Sequence, residues 1–197
     1  MRFRVMTYNV HRCRGMDGRT LPQRTVDVLA DLNADVIALQ EVIGAGPNGE
    51  LYLVWQEASL APSGSAIGFS KSLDGGFTWT DPIRINTRPD VQAFTPSVEA
   101  LTDGTIGVTH YDLRFNTPDP ATLPTDYWFL HSHDGGTTWT ETRVTPTSFD
   151  HKLAPDAGGL FLGDYVGLTT AGSQFLSMFT KTEPTDPASE FVVDLTP

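Results

Sequence analysis

The 197-residue chain has a single cysteine, Cys13, so it can form no disulfide within itself. It has no apolar run long enough to span a membrane, and its N-terminus lacks the apolar segment and the small-residue cleavage site of a signal peptide. We therefore expect no membrane partner. The missing signal peptide predicts a cytoplasmic location.

Basic residues are also scarce, because 13 Lys and Arg stand against 24 Asp and Glu, for a net charge of −11. The arginines concentrate before position 25, so the remainder of the chain is more acidic still. A chain of this charge repels polyanions, and we expect no nucleic-acid partner. Glycine and proline are plentiful, with 18 and 14 residues, which is typical of a protein built from short strands and turns.

One eight-residue signature occurs twice, sixty positions apart, and six of its eight positions are identical. The copies are Ser72-Leu73-Asp74-Gly75-Gly76-Phe77-Thr78-Trp79 and Ser132-His133-Asp134-Gly135-Gly136-Thr137-Thr138-Trp139. A long-period repeat indicates stacked or radially arranged units. The Asp and Ser can accept and donate hydrogen bonds within a Gly-Gly turn, and the Trp supplies apolar surface beneath it. We therefore predict that the signatures build the fold and are not a catalytic site.

Short strands surround both signatures in the same order. The pattern predicts strands at 51–55 and 66–70 before the first copy, and at 106–110 and 127–131 before the second. A third, partial copy follows, with strands at 165–168 and 175–179. The Pro-rich segment 183–197 is predicted to be loosely held.

The pattern S-x-D-G-G-x-T-W resembles the Asp-box, or BNR repeat, of sialidases, and the resemblance covers about residues 43–180. It implies a mainly β protein, a partial sialidase-like β-propeller of about two to three blades at residues 43–182. Closed propellers have roughly 4–8 blades, so we expect an open blade edge that the N-terminal piece, a partner or a second copy of the chain covers. A homo-oligomer is our preferred expectation. The function implied is glycan binding or glycoside hydrolysis without a cofactor, in a part that would derive from a secreted protein.

A sialidase site would hold an arginine cluster, a tyrosine–glutamate nucleophile pair and an acidic acid/base residue. The blades that carry the first of these are missing here, so we expect an incomplete catalyst, and whether the chain is an enzyme stays open. The candidate site residues are Asp112 and Arg114, which follow a strand, and Asp164 and Tyr165, in a segment similar to the last blade of sialidase-like proteins. The alternatives are an Asp112–Arg114 ion pair within the loop, and a turn carboxylate with a core tyrosine.

Residues 1–42 have a different character. A strand, a helix that begins near Thr20-Leu21-Pro22-Gln23 and a buried strand at 36–39 predict one βαβ unit. Thr7-Tyr8-Asn9-Val10-His11 and Leu39-Gln40-Glu41-Val42 resemble the opening of the endonuclease/exonuclease/phosphatase family. In that family the positions of Asn9 and Glu41 serve phosphate and Mg²⁺, which makes a metal-dependent phosphoesterase the alternative function.

The family's later motifs have only poor matches here, so we expect no nuclease or phosphatase activity. Because no linker separates the two pieces at Val42-Ile43, the sequence predicts a chimeric chain. The third hypothesis is a structural propeller module that associates with itself.

Overall fold

The computed structural model describes residues 5–9, 36–40, 43–163 and 166–197. Within these residues the chain is almost entirely β-structure, with one short 3-10 helix at His151–Leu153. The strands are β1 (Val5–Asn9), β2 (Val36–Gln40), β3 (Ile43–Ala45), β4 (Leu51–Glu57), β5 (Ala66–Ser72), β6 (Ile83–Arg84), β7 (Ala93–Ala100), β8 (Ile106–Asp112), β9 (Pro124–Ser132), β10 (Thr140–Arg143), β11 (Phe149–Asp150), β12 (Gly167–Ala171), β13 (Gln174–Glu183) and β14 (Asp186–Leu195).

The first two strands pair in parallel, from Val5 with Val36 to Asn9 with Gln40. A parallel pair needs a crossover connection, as the predicted βαβ unit requires. The helix predicted to begin near Thr20 lies outside the described residues.

The other strands form three antiparallel sheets. The first sheet has the order β3-β4-β5-β6, and the second has β7-β8-β9-β10 with β11 paired to the start of β9. The third sheet has three strands, β12-β13-β14. This arrangement confirms a mainly β chain that forms part of a propeller, with sheets that do not close into a ring.

The second sheet lies at the centre of the core. One of its faces packs on the first sheet, where Val108 and Leu130 meet Val54 and Phe69. Its other face packs on the third sheet through two aromatic clusters whose members include Tyr111, Tyr127, Phe129, Phe175 and Phe179. Alternation of side chains along β8 and β9 produces these two faces, since successive residues of a strand point to opposite sides.

Two tyrosine hydroxyls also join the second and third sheets. The Tyr111 hydroxyl donates to the Thr180 carbonyl at 2.7 Å, and the Tyr127 hydroxyl lies 3.0 Å from Ser177 Oγ. Burial raises the pKa of Tyr127 to about 12, so this phenol stays protonated. The hydrogen bonds satisfy polar groups that the aromatic clusters would otherwise leave unpaired.

The prediction of a loosely held tail at 183–197 is wrong. Ten of its residues form β14, which pairs with β13 from Phe175–Leu195 to Glu183–Asp186. Phe191, Val193 and Leu195 alternate with the exposed residues Glu190, Val192 and Asp194, so one side of the strand packs on the core. Phe191 stacks on Phe179 with ring centroids 5.8 Å apart. The third sheet therefore extends past residue 182.

The two signatures form turns that follow β5 and β9, and we call residues 72–79 and 132–139 the box turns. In the second sheet, β9 runs from Pro124 to the box turn, while the loop 113–123 joins the end of β8 to the start of β9. The box turn and this loop therefore lie at opposite ends of the sheet. We call these the box end and the loop end.

Candidate functional site

The two box turns have the same hydrogen bonds. In the second turn, Ser132 Oγ donates to Asp134 Oδ1 at 2.8 Å, and the Thr138 N–H and hydroxyl donate to the same carboxylate at 2.9 and 2.6 Å. The first turn repeats these bonds with Ser72, Asp74 and Thr78 at 2.8, 2.8 and 2.7 Å. Hydrogen bonds from the Thr78 hydroxyl and amide lower the pKa of Asp74 to about 2, so its carboxylate stays ionised.

The tryptophans close the turns from below. Trp79 Nε1 donates to the Gly76 carbonyl at 3.0 Å, and Trp139 Nε1 donates to the Gly136 carbonyl at 3.1 Å. Trp139 also packs edge-on against Phe69 of the core, with ring centroids 5.1 Å apart. The side chains of the shared Ser, Asp, Thr and Trp residues thus form hydrogen bonds within their own turn, which is the pattern of a structural element.

We predict that Asp134→Ala lowers the thermal unfolding midpoint and leaves sugar binding intact, because it removes the acceptor of four hydrogen bonds far from the loop end. Asp119→Ala, which removes a single bond to the Ala121 N–H in an exposed loop, is the control. Differential scanning calorimetry and a sugar titration measure the two effects. An unchanged midpoint together with lost sugar binding would reverse the assignment of the turn as structural.

Asp112 and Arg114 meet at the loop end of the second sheet. Arg114 donates from its backbone N–H to Asp112 Oδ1 at 3.2 Å and from Nε to Asp112 Oδ2 at 2.7 Å. The Asp112 side chain has no exposed surface, and that of Arg114 is only 8% exposed. The structure thus contains the ion pair that was one of the two sequence interpretations, and it is a buried pair.

Glu141 of β10 extends this pair into a network. Arg114 Nη1 donates to Glu141 Oε2 at 2.8 Å, His110 Nε2 lies 3.3 Å from Glu141 Oε1, and the Thr87 hydroxyl donates to Oε2. Burial raises the pKa of Glu141, but the hydrogen bonds from His110 and Arg114 outweigh it and hold the pKa well below its usual range. The network therefore keeps Glu141 ionised at neutral pH.

A second buried carboxylate, Asp126, lies beside the first network, since Asp126 pairs across the strands with Asp112. It accepts hydrogen bonds from Arg143 Nε at 2.9 Å and Nη2 at 2.5 Å, from Thr145 Oγ1 at 2.8 Å and from Ser148 Oγ at 2.8 Å. The Arg143 side chain is 30% exposed, so Asp126 fixes a guanidinium that still reaches the surface.

Each of the two arginines, Arg114 and Arg143, lies against an aromatic ring. The Arg114 guanidinium lies 3.4 Å from the centroid of the Trp128 ring, and that of Arg143 lies 4.7 Å from the centroid of Phe115. Trp128 is buried and pairs across the strands with Arg143, whereas Phe115 is 47% exposed. Trp128 Nε1 is buried without a hydrogen-bond partner. A buried donor of this kind is uncommon, because leaving it unpaired costs free energy.

No described contact joins the other predicted site residues to the cluster around Asp112 and Arg114. Asp164, Tyr165 and Glu41 lie outside the described residues, and Asn9 is the last residue of β1. No group of three or more His, Cys, Asp or Glu side chains within the described ranges is arranged to hold a metal ion. In that same part of the chain, no helix has the length and apolar character that crossing a bilayer requires.

Sequence reasoning missed Trp128, Arg143, Asp126 and Glu141. Their proximity depends on the register of β8, β9 and β10, which places His110 opposite Trp128 and Trp128 opposite Arg143. A comparison of the two repeats could have drawn attention to Trp128. Arg84 pairs with Gly68 in the first sheet as Arg143 pairs with Trp128 in the second, so the first repeat has a glycine at the position of Trp128.

Comparison with known proteins supports the fold. No protein-family model and no curated protein matches the chain. Among solved structures, an α-L-arabinanase from Penicillium chrysogenum, complexed with arabinobiose, aligns at TM-score 0.54 and 16% identity, over 79% of this chain and 45% of that one. A protein of unknown function from Dyadobacter fermentans aligns at TM-score 0.50 and 16% identity, over 78% and 36%.

At this identity the alignments support the partial β-propeller fold alone. The chain spans less than half the length of the solved structures that it resembles. The Hadza microbial sialidase Hz136 aligns at TM-score 0.45 and 17% identity, over 77% of this chain and 34% of that one, which is too weak to carry an argument.

His151 is a buried histidine near the loop end that no site uses. Its ring stacks on Phe94 with centroids 5.6 Å apart, and neither ring nitrogen has a hydrogen-bond partner. Burial lowers the pKa of His151 below the usual value of 6.5, although the Asp150 charge opposes the change. The folded protein therefore binds this proton less well than the unfolded chain does.

We predict that this histidine makes the protein less stable as the pH falls through 6.5 towards the lower folded pKa, because the unfolded state binds more protons in that window. His151→Phe keeps an aromatic ring on Phe94 and removes the titration. Urea unfolding at pH 7.5 and pH 5.5 measures the effect, and the variant should gain stability relative to the wild type at the lower pH. An equal loss in both proteins would contradict the prediction.

Proposed function

We propose that the chain is a glycan-binding module of the sialidase-like type, and that its binding surface is the loop end of the second sheet around Phe115, Trp128 and Arg143. The observation that carries this proposal is the unpartnered, buried Nε1 of Trp128. The Trp128 ring lies 6.3 Å from the exposed Phe115 ring, between centroids, and pairs across the strands with the half-buried Arg143. A sugar oxygen, directly or through a water, is the kind of acceptor that this donor lacks.

The neighbouring groups suit a carbohydrate. The Phe115 ring, 47% exposed, offers an apolar face against which a sugar ring can pack. Arg143 is held at Nε and Nη2 by Asp126 and Ser148, and no hydrogen bond in the described part of the chain engages its Nη1. A fixed guanidinium with a free N–H favours an acidic sugar, since charge-assisted hydrogen bonds to carboxylates are the stronger ones.

The same geometry argues against hydrolysis by the buried carboxylates. Glycoside hydrolysis requires a protonated acid for the leaving group, whether the nucleophile is a carboxylate or, as in sialidases, a tyrosine. Glu141 is held ionised by His110 and Arg114, and Asp112 is paired with Arg114. Glu141 is therefore not available as a proton donor near neutral pH, and the buried Asp112–Arg114 ion pair serves to support the binding surface.

Titration with sialyllactose and with arabinobiose, followed by calorimetry, tests the proposal. Phe115→Ala should weaken binding of the preferred sugar about 5- to 30-fold, since a stacked aromatic contributes on the order of 1–2 kcal/mol. Phe77→Ala is the matched control, because Phe77 is also an exposed phenylalanine, 75% accessible, but lies in the first box turn. Tighter binding of sialyllactose supports an acidic ligand. Equal losses from both variants, or no binding, would overturn the proposed surface.

Self-association is a second candidate, favoured by the outward face of the third sheet. Met178 pairs with Val192 on this face, and their side chains are 49% and 64% exposed, while the opposite face packs on the second sheet. A second copy could cover this face as the next blade would. Light scattering across a dilution series tests it: Met178→Glu should favour the monomer if copies associate here. A 21.5 kDa species at high micromolar concentration would exclude it.

The metal-dependent phosphoesterase remains the alternative function. Asn9 ends β1 opposite Gln40 of β2, and Glu41 follows Gln40 in the sequence. We predict no Mg²⁺-stimulated hydrolysis of DNA or phosphomonoesters, because the sequence supplies only poor matches to the further acidic ligands and the base that such a site needs. Turnover that disappears in Glu41→Ala would establish this alternative instead.

A further inference from the structure

Two histidines at the box end of the second sheet form a pair that the box turn does not need. His131 and His133 lie with ring centroids 5.2 Å apart and ring planes at 66°. At the corresponding positions of the first box turn the chain has Lys71 and Leu73, yet the hydrogen bonds within that turn are the same. The fold of the turn therefore does not explain the two imidazoles.

The His133 ring is oriented by a hydrogen-bonded chain. Its Nδ1 lies 3.0 Å from the Thr105 hydroxyl oxygen, and the Thr105 N–H donates to Asp103 Oδ1 at 2.9 Å. Thr105 is buried, so this hydroxyl is a fixed neighbour. An oxygen bonded to one ring nitrogen orients the other nitrogen, which is the usual arrangement behind a metal-bound histidine.

The His131 ring is not held by a hydrogen bond, because its Nδ1 is buried without a hydrogen-bond partner. In the described part of the chain no hydrogen bond engages the Nε2 of either ring.

We propose that His131 and His133 together bind one divalent transition-metal ion of the Zn²⁺, Ni²⁺ and Cu²⁺ class, with water completing its coordination. Imidazole nitrogen suits these ions, whereas Mg²⁺ and Ca²⁺ require oxygen ligands. Two rings 5.2 Å apart can face a common ion at the usual metal–nitrogen distance of about 2.0–2.1 Å. The site is independent of the proposed glycan surface, which lies at the other end of the sheet.

Calorimetric titration of the full chain, prepared without a polyhistidine tag, with ZnCl₂ or NiCl₂ at pH 7.5 tests this proposal. We expect one ion bound per chain. His133→Leu and His131→Lys install the residues of the first repeat, so both variants should fold and should lose that binding. Thr105→Val keeps the shape and removes the hydroxyl, and it should weaken binding about 10–100-fold, as loss of an outer ligand contact does.

Two further measurements test whether the binding is specific. Binding should weaken in acid, because protons compete with the metal ion for imidazole nitrogen. His151→Phe, which alters a histidine outside the pair, should bind as the wild type does. Equal affinity in His133→Leu and the wild type, or no binding at millimolar metal, would overturn the site. MgCl₂ binding equal to that of ZnCl₂ would overturn the class of ion.

Discussion

Asp112→Ala should destabilise the protein by about 3 kcal/mol, because it leaves a buried guanidinium without one of its two carboxylate partners. The Asp112 side chain has no exposed surface, and Arg114 Nε donates to it at 2.7 Å. Arg114 retains Glu141, which keeps the expected loss at the lower end for a broken buried pair. Such a loss is a large part of the roughly 5–15 kcal/mol by which domains are stable.

An exposed pair provides the control. Arg88 and Asp90 also lie two residues apart and form an ion pair at 3.3 Å, but their side chains are 47% and 61% exposed. Asp90→Ala should leave the urea midpoint unchanged, because water already screens this pair. The comparison requires equal m-values, so that a shifted midpoint reports stability. If Asp112→Ala keeps its midpoint and instead loses sugar binding, Asp112 is a ligand-binding residue and the structural assignment is wrong.

Gly136→Ala should destabilise by about 2–5 kcal/mol, the sum of a left-handed backbone of about 1–2 kcal/mol and overpacking of about 1–3 kcal/mol. Gly136 has φ of 86°, a conformation that side chains disfavour. A Cβ there would lie 2.6 and 2.7 Å from two ring carbons of Phe69. Phe69 is buried in the core between the first and second sheets, so its ring has no free space into which to move.

The adjacent Gly135 separates the two contributions. Its φ of 68° is also left-handed, but an added Cβ would meet only Lys71 Nζ, at 3.5 Å. Gly135→Ala should therefore show the backbone contribution alone, and the difference between the variants in urea unfolding should measure the Phe69 contact. Equal losses in the two variants would show that the second box turn does not pack on Phe69 as described.

Periodicity and the repeat predicted much of the fold. The two signatures, the strands before them and the parallel pair β1–β2 follow from local patterns, and each is found within the described residues. The prediction for the tail was wrong because it was based on the proline and polar residues and took no account of the spacing of Phe191, Val193 and Leu195 at every second position. That alternation is a period-two signal, and it formed β14 against the core.

The candidate site was harder to predict because it depends on register. Asp112 and Arg114 are neighbours in sequence, but Glu141 reaches them only because β8, β9 and β10 pair in one order. A single sequence contains no direct record of that pairing. Differences between the two repeats are the remaining sequence signal for a functional site. Trp128 occupies the position of Gly68 in the first repeat, so the shared fold does not require a tryptophan there.

The indole N–H signals in a ¹H–¹⁵N spectrum test the central claim most directly. Of the four tryptophans, Trp55 donates to Glu57 at 3.0 Å, and Trp79 and Trp139 donate to carbonyls of their own box turns. Trp128 alone has an unpartnered Nε1, and Trp128→Phe assigns its signal. Titration with sialyllactose should shift the Trp128 signal and leave the two box-turn signals in place. Shifts confined to Trp79 and Trp139 would place the binding surface at the box end and contradict the account.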